Sequence, residues 1–174
     1  MLNKRKQIFY LALKFFLLIT LVSVSKYNYI VRYITIIVIS LVISTTIHEL
    51  NHFIAFKLCG IKVIAITIGM FTISNKKMKL NNSKILSGCC DFEYDEKIPK
   101  KKYYYSLLAG GLNNFIFGVL GIVLIFIIPA IKPSIIIFIP MLIMIIDGVY
   151  NCAYRNSSDR KIIKRIRNAE WILQ

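Results

Sequence analysis

The sequence predicts an all-α polytopic membrane protein, with about four transmembrane helices and a small β-hairpin or sheet inserted after the second helix. Hydrophobic residues make up 57% of its 174 residues, whereas soluble domains average about 45–50% apolar residues. Several long apolar runs carry few or no charges, and about 20 such residues are enough to cross a bilayer. We therefore expect residues 1–174 to form a single membrane-embedded domain.

Four apolar runs account for the predicted spans, and they cover residues 8–24, 30–58, 103–128 and 134–154. The second run is rich in Ile, Val and Thr, which favour strands. It is nevertheless far longer than a strand, which rarely exceeds about 10 residues. Gly60 is a natural stop for this helix, and Pro140 is expected to kink the fourth span.

Residues 60–102 carry the pattern of a small cytoplasmic sheet. Short strand-like segments are separated by turn residues at Asn75 and at 81–83, which predicts strands near 62–68, 72–74, 77–80 and 88–94. Near the other end, residues 156–174 form a basic amphipathic pattern. This tail is expected to lie on the membrane surface as a helix.

The net charge of +15 is distributed unevenly along the chain. Nineteen of the 23 Lys and Arg residues lie before the first span, between Lys57 and Lys102, or between Arg155 and Arg167. This asymmetry predicts a multi-pass protein with both termini cytoplasmic, in contact with the lipid bilayer and without a nucleic-acid partner. The first apolar run lacks a convincing small-residue cleavage site, so we expect it to remain as a helix. Heavy use of Ile, Lys and Asn is typical of an AT-rich bacterial genome, so we expect a bacterial protein of the plasma membrane.

The chemically informative stretch is His48-Glu49-Leu50-Asn51-His52, an H-E-x-x-H motif that contains both histidines of the chain. Histidines four residues apart share one helix face, so both imidazoles can bind one Zn²⁺. The glutamate between them can act as general base. Counted from Tyr33, His48 lies roughly 22 Å along the second span. The predicted metal site is therefore inside the membrane, where ionisable groups are costly and usually functional.

Two further polar residues lie in the other spans. Asn114, in the third span, is either a packing contact or a group aimed at the site. Asp147 lies within the fourth span. The four cysteines include no C-x-x-C pair, so we do not expect a cysteine zinc site.

Three motifs resemble those of site-2-type intramembrane zinc metalloproteases. The first is H-E-x-x-H in the second span. The second, residues 110–114, resembles G-P-x-x-N with Gly111 where proline is usual. In the third, Asn151 and Asp159 keep the family's eight-residue spacing, although Tyr154 replaces a proline and Arg160 replaces a glycine.

The resemblance implies that His48 and His52 bind zinc and that Glu49 is the general base. It also implies a carboxylate from the last span as the third ligand, and the motif spacing assigns that role to Asp159. Asp147 remains the alternative third ligand, because its estimated depth in the membrane matches that of His48. Asn114 would hold the substrate backbone or the oxyanion, and the strands after the motif could pair with an unwound substrate.

The function expected from this resemblance is hydrolysis of a peptide bond in a membrane-bound protein or peptide precursor. Two alternatives stay open from the sequence. One is an inactive zinc-binding relative that acts as a chaperone or immunity protein, which the altered third motif would favour. The other is a small cation transporter that uses the same side chains as ion ligands. The sequence does not indicate an oligomeric state.

Overall fold

The computed structural model describes residues 16–17, 19–74, 77–80, 88–128, 135–154 and 157–167. In chain order these residues form helix α1 (Tyr29–Leu58), strands β1 (Val63–Ile68), β2 (Phe71–Ser74), β3 (Lys77–Leu80) and β4 (Gly88–Phe92), and helices α2 (Lys100–Ile127), α3 (Ile135–Ala153) and α4 (Ser158–Arg167). Within the described ranges, α1, α2 and α3 are long and apolar enough to cross a membrane. The predicted fold class, a helical membrane protein with a small sheet, is confirmed.

The elements begin and end close to their predicted limits. The second, third and fourth predicted spans correspond to α1, α2 and α3, and the four predicted strands correspond to β1–β4. The first predicted span lies mostly outside the described residues, of which 16–17 and 19–24 are helical. The predicted turns at Asn75 and at 81–83 lie outside the described residues, as does the end of the tail after residue 167.

Local capping determines both ends of α1. The Asn28 side chain accepts hydrogen bonds from the backbone N–H groups of Ile30 and Val31, at 2.9 and 3.3 Å. At the other end, Gly60 adopts a positive φ of 75°, which glycine allows without strain. Its N–H donates to Lys57 O, and the next N–H, of Ile61, donates to Phe56 O at 2.8 Å. This Schellman arrangement stops the helix as the sequence predicts.

The burial pattern of α1 is inverted relative to a soluble helix. Its buried residues are Thr35, Ser40, Ser44, His48, Glu49, His52 and Phe56. Four of the polar ones recur every four residues, so they lie on one face of the helix. Isoleucines such as Ile37 and Ile54 are instead 41% and 52% exposed. A helix that buries polar groups and exposes apolar ones is suited to a lipid surrounding.

Helices α2 and α3 approach each other through glycine. A Cβ atom at Gly148 of α3 would be 2.6 Å from Gly111 O and 2.6 Å from Phe115 N of α2. A Cβ atom at Gly118 would similarly be 2.7 Å from Met141 O. Small residues are what allow such close approach in membrane helix pairs. The contact brings the polar residues in the middle of α2 and α3 beside α1.

The sheet is antiparallel with strand order β3-β2-β1-β4. It packs where α1 ends and α2 begins, around a core of Phe56, Ile61, Tyr103, Leu107 and Ile166. Phe92 of β4 lies between two of these rings, with centroids 4.6 Å from Phe56 and 5.6 Å from Tyr103. This aromatic contact fixes β4 against the end of the histidine-bearing helix.

Candidate metal centre

The two histidines of the motif face each other inside the helix bundle. His48 and His52 are 6% and 3% exposed, and their Nε2 atoms are 3.0 Å apart. The i, i+4 spacing on α1 produces this arrangement, because consecutive turns stack side chains on one face. Two buried ring nitrogens at this distance cannot both carry a proton toward each other. Either one ring donates to the other, or both lone pairs can bind one cation.

Asp159 completes a cluster with these two histidines. Its Oδ2 atom lies 3.2 Å from His48 Nε2 and 3.4 Å from His52 Nε2. One potential ligand atom from each of the three residues lies within 4.8 Å of the other two. Ligands bound at about 2.0–2.1 Å to a tetrahedral zinc are separated by about 3.3 Å. The three observed separations therefore fit the donor set of a single zinc ion.

Asp159 reaches the cluster because the chain turns back after α3. Ser157 N-caps α4, where its Oγ atom accepts from Arg160 N at 3.4 Å and donates to Asn151 O at 3.2 Å. The side chain of Arg160 donates through Nε to Cys152 O at 2.7 Å and also contacts it through Nη2. Arginine in place of the expected glycine thus ties α4 to the end of α3. Asp159 itself is 7% exposed.

Helix α2 closes the site from the opposite side. A Cβ atom at Gly110 would be 2.5 Å from His52 Nε2 and 2.8 Å from His48 Nε2. Only glycine leaves room for the histidine pair and for an ion between them. The Nδ1 atom of His52 lies 2.8 Å from Ser106 O. Since a carbonyl only accepts, this Nδ1 carries the proton and Nε2 presents its lone pair to the site.

The side chain of Glu49 extends from α1 toward strand β4. Its side chain is buried, and a Cβ atom at Gly88 of β4 would be 2.3 Å from its Cγ and 2.4 Å from its Oε1. The first residue of β4 therefore contacts the carboxyl group directly. The arrangement leaves Glu49 beside the cluster and next to a strand at the edge of the described sheet. A general base for a water held at the cluster requires this proximity.

Asn114 has partners different from those expected of an oxyanion donor. It is fully buried, and its Nδ2 atom lies 3.0 Å from Ser44 O, 3.1 Å from Ser44 Oγ and 2.7 Å from Asp147 Oδ2. Its two amide hydrogens are thus directed at α1 and α3. The catalytic role predicted for Asn114 remains a prediction, while the structure places this residue in contact with Asp147.

Asp147 lies on the far side of His48 from the cluster. Its Oδ2 atom is 3.2 Å from His48 Nδ1, whereas Asp159 is 3.2 Å from His48 Nε2. The two candidate third ligands therefore flank opposite nitrogens of one ring. A metal bound at Nε2 has Asp159 and His52 within reach, and Asp147 is behind the ring. The role of each aspartate as ligand remains a proposal.

Sequence reasoning missed three residues at the site. Ser44, Gly88 and Ser106 all contact the predicted residues, but each lies in a different element. A signal existed only for Ser44, which precedes His48 by one helical turn on the same face. The close approaches at Gly88 and Ser106 depend on tertiary packing, so no local pattern marks them.

The cysteines lie outside the cluster. Cys89 and Cys90 occupy β4, where burial raises the pKa of each thiol to about 12. Metal binding requires the thiolate, so these groups are poor ligands at neutral pH. Cys59 and Cys152 are also free thiols.

Comparison with known proteins gives one match. The model of peptidase family M50 matches residues 36–169, whereas no curated protein and no solved structure matches the chain. The matched range begins within α1 and extends past Asp159, so it contains the whole cluster and most of the chain. The chain therefore belongs to peptidase family M50, the site-2 protease family.

Proposed function

We propose that this protein is an intramembrane zinc metalloprotease that hydrolyses a peptide bond in a membrane-bound protein or peptide precursor. The observation that carries the proposal is the buried cluster of His48, His52 and Asp159 with Glu49 beside it. Three protein ligands leave one coordination position for water or substrate, as a catalytic zinc requires. Membership of a metallopeptidase family supports the same activity.

Different residues would bind the metal ion and transfer the proton during hydrolysis. His48, His52 and Asp159 would hold the ion, and the Ser106 carbonyl keeps His52 in the tautomer that can bind it. Zinc, when bound, supplies a Lewis acid that polarises the scissile carbonyl and acidifies water. Glu49 would accept the proton of the attacking water and deliver it to the leaving amine.

Strand β4 is suited to present the substrate. Within the described residues it pairs with β1 alone, so its other edge offers backbone groups for an added strand. Gly88, its first residue, contacts Glu49. A substrate helix hides its carbonyls in internal hydrogen bonds, so it must unwind before cleavage. Pairing an extended substrate with β4 would replace those bonds and bring a peptide bond next to the general base.

The proposed setting is a bacterial plasma membrane with both termini in the cytoplasm. The basic residues of the β insertion and of α4 lie at the end of the bundle where α1 finishes and α2 begins. Lys and Arg accumulate on the cytoplasmic side of membrane proteins. The metal centre would then lie in the cytoplasmic half of the bilayer. The termini themselves lie outside the described residues.

The test is reconstitution with single-span reporter peptides labelled at both ends. Vesicles containing the protein and Zn²⁺ should cleave members of such a panel, with products identified by mass spectrometry. Glu49→Gln should retain zinc and lose at least about 100-fold in rate, because the amide cannot accept the proton. Cleavage by Glu49→Gln at the wild-type rate would exclude Glu49 as the base. A wild-type protein that binds zinc and cleaves no reporter would favour the inactive relative.

A further inference from the structure

The carboxylate of Asp147 lies behind His48, where the metal cluster does not use it. His48 Nε2 faces His52 and Asp159, and His48 Nδ1 is 3.2 Å from Asp147 Oδ2. Nδ1 is buried and makes no aligned hydrogen bond, although the oxygen is within reach. A small rotation of the ring or of the carboxylate would align the N–H group with Oδ2.

Asp147 is itself held by two amides on different helices. Asn114 of α2 donates to Oδ2 at 2.7 Å, and Asn151, one turn later on α3, donates to Oδ1 at 3.1 Å. Both carboxylate oxygens are therefore occupied, which fixes the plane of the group. The close contact of α2 with α3 at Gly148 makes the Asn114 bond possible.

The same amide links the carboxylate to the histidine helix. Asn114 Nδ2 also lies within hydrogen-bond distance of Ser44 O and Oγ, one turn before His48 on α1. The network thus joins α1, α2 and α3 at the level of the cluster. Moving any of these helices would change the position of Asp147 relative to His48.

We propose that Asp147 is a positioning residue that orients His48 for the metal, and that Asn114 and Asn151 act through it. This inference rests on the proposed metalloprotease function. Metal-binding histidines usually donate their second ring N–H to a carboxylate or carbonyl, which fixes the tautomer and raises the basicity of the bound nitrogen. Ser106 O serves His52 in this way, and Asp147 serves His48. Asp147 is therefore not the third ligand, and Asn114 does not bind the oxyanion.

The test is zinc affinity, measured by chelator competition on the full-length protein in detergent. Asp147→Asn should still bind one zinc, with an affinity lowered about 10–100-fold, the usual effect of losing such a partner. Asp159→Asn should lose zinc far more completely, because it removes a ligand. Asp147→Glu should recover part of the affinity. Ser40→Ala, on the same buried face of α1 but outside the network, is the matched control and should bind as wild type.

Substitution with Co²⁺ distinguishes a positioning residue from a ligand. The visible absorption of tetrahedral Co²⁺ reports the ligand set, so Asp147→Asn should keep the wild-type spectrum at saturation and Asp159→Asn should change it. A second measurement is the double variant. If Asn114 acts through Asp147, Asn114→Ala should weaken zinc binding in the wild type and have little further effect on Asp147→Asn.

Each outcome has a defined meaning. Zinc affinity of Asp147→Asn within twofold of the wild type would overturn the positioning role, while leaving the protease proposal intact. Loss of the Co²⁺ spectrum in Asp147→Asn but not in Asp159→Asn would make Asp147 the ligand. If Asp147→Asn does not fold, Asn114→Ala tests the same network, and an unchanged affinity there would overturn it. A wild-type protein that binds no zinc contradicts the proposed function instead.

Discussion

The two aspartates at the candidate metal centre face different ring nitrogens of His48. Asp159 and Asp147 lie equally far from His48, at 3.2 Å, but on opposite sides of the imidazole. The distance alone does not separate a ligand from a positioning group. The position of His52 does, because its Nε2 atom shares the Asp159 side. The roles we propose for the two carboxylates thus depend on the orientation of one ring.

At this scale we expect one zinc per chain, and its loss in His48→Ala and His52→Ala. Each substitution removes one of three ligands and leaves the other two without a closed site. Leu50→Ala, in the same motif but 41% exposed toward lipid, is the control and should retain zinc. Metal analysis of the purified variants by mass spectrometry is the measurement. Full zinc occupancy in both histidine variants would place the metal elsewhere.

Helix α2 and strand β4 both approach the candidate site at a glycine. Helix α2 touches the histidine pair at Gly110, and strand β4 touches the glutamate at Gly88. Both contacts leave no room for a side chain. The two glycines therefore give separate tests of the proposed metal-binding and proton-transfer roles.

Gly110→Ala should remove most zinc binding. The added methyl would be 2.5 Å from His52 Nε2, which occupies the space of the ion and displaces the ring. Gly121→Ala, in the same helix, is the matched control, because its methyl would meet the Met141 side chain, which is flexible and can move. Zinc content of the two variants, measured side by side, is the comparison. Equal zinc content would contradict the close packing of α2 on the site.

Gly88→Ala should have the opposite effect, because it should retain zinc and lower the cleavage rate. Its methyl would overlap Glu49 at 2.3 Å from Cγ, and its three nearest atoms all belong to Glu49, so the carboxyl group must move. We expect zinc binding near the wild-type level and reporter cleavage reduced at least about tenfold, since misplacing a general base lowers the rate. Gly60→Asn is the control, because open space surrounds Gly60 and asparagine tolerates its positive φ. Unchanged cleavage in Gly88→Ala would separate β4 from the catalytic step.

The three membrane-length helices place polar groups inside the bundle and many isoleucine, leucine and phenylalanine side chains outside, whereas an apolar core lies beside the sheet. Exposed residues such as Ile146 at 66% and Leu120 at 51% would be unfavourable in water. In a bilayer they face lipid, while inside the bundle Asn114 donates to Ser44 and Asp147, and His52 Nδ1 donates to Ser106 O. The polar centre is therefore stable only because three helices surround it.

Topology at this scale can be tested with single cysteines in a cysteine-free chain. Lys97 lies on the exposed side of the β insertion, and Tyr27, before α1, is 91% exposed. In intact bacterial spheroplasts, a membrane-impermeant maleimide should label Tyr27→Cys and not Lys97→Cys. Permeabilising the membrane should make both variants reactive. Labelling of Lys97→Cys in intact cells would reverse the proposed orientation.

The fold class, the approximate limits of the described elements and the H-E-x-x-H motif are predictable from the sequence alone. These depend on local properties. The length of the apolar runs sets the spans, Gly60 ends α1 through its own backbone conformation, and the spacing of His48 and His52 puts both on one helix face. Such features need no knowledge of distant residues, so they can be read from short stretches of chain.

The meeting of residues that are distant in the chain depends on the assembled fold. Asp159 reaches His48 across a separation of 111 positions, and its competitor Asp147 occupies the other nitrogen of the same ring. Motif spacing and estimated depth gave opposite answers, because neither contains the orientation of α3 and α4 relative to α1. The partners of Asn114 and the contacts at Gly88 and Gly110 also arise from helix and strand packing. Close packing forms only when all the elements are assembled, so no single segment encodes it.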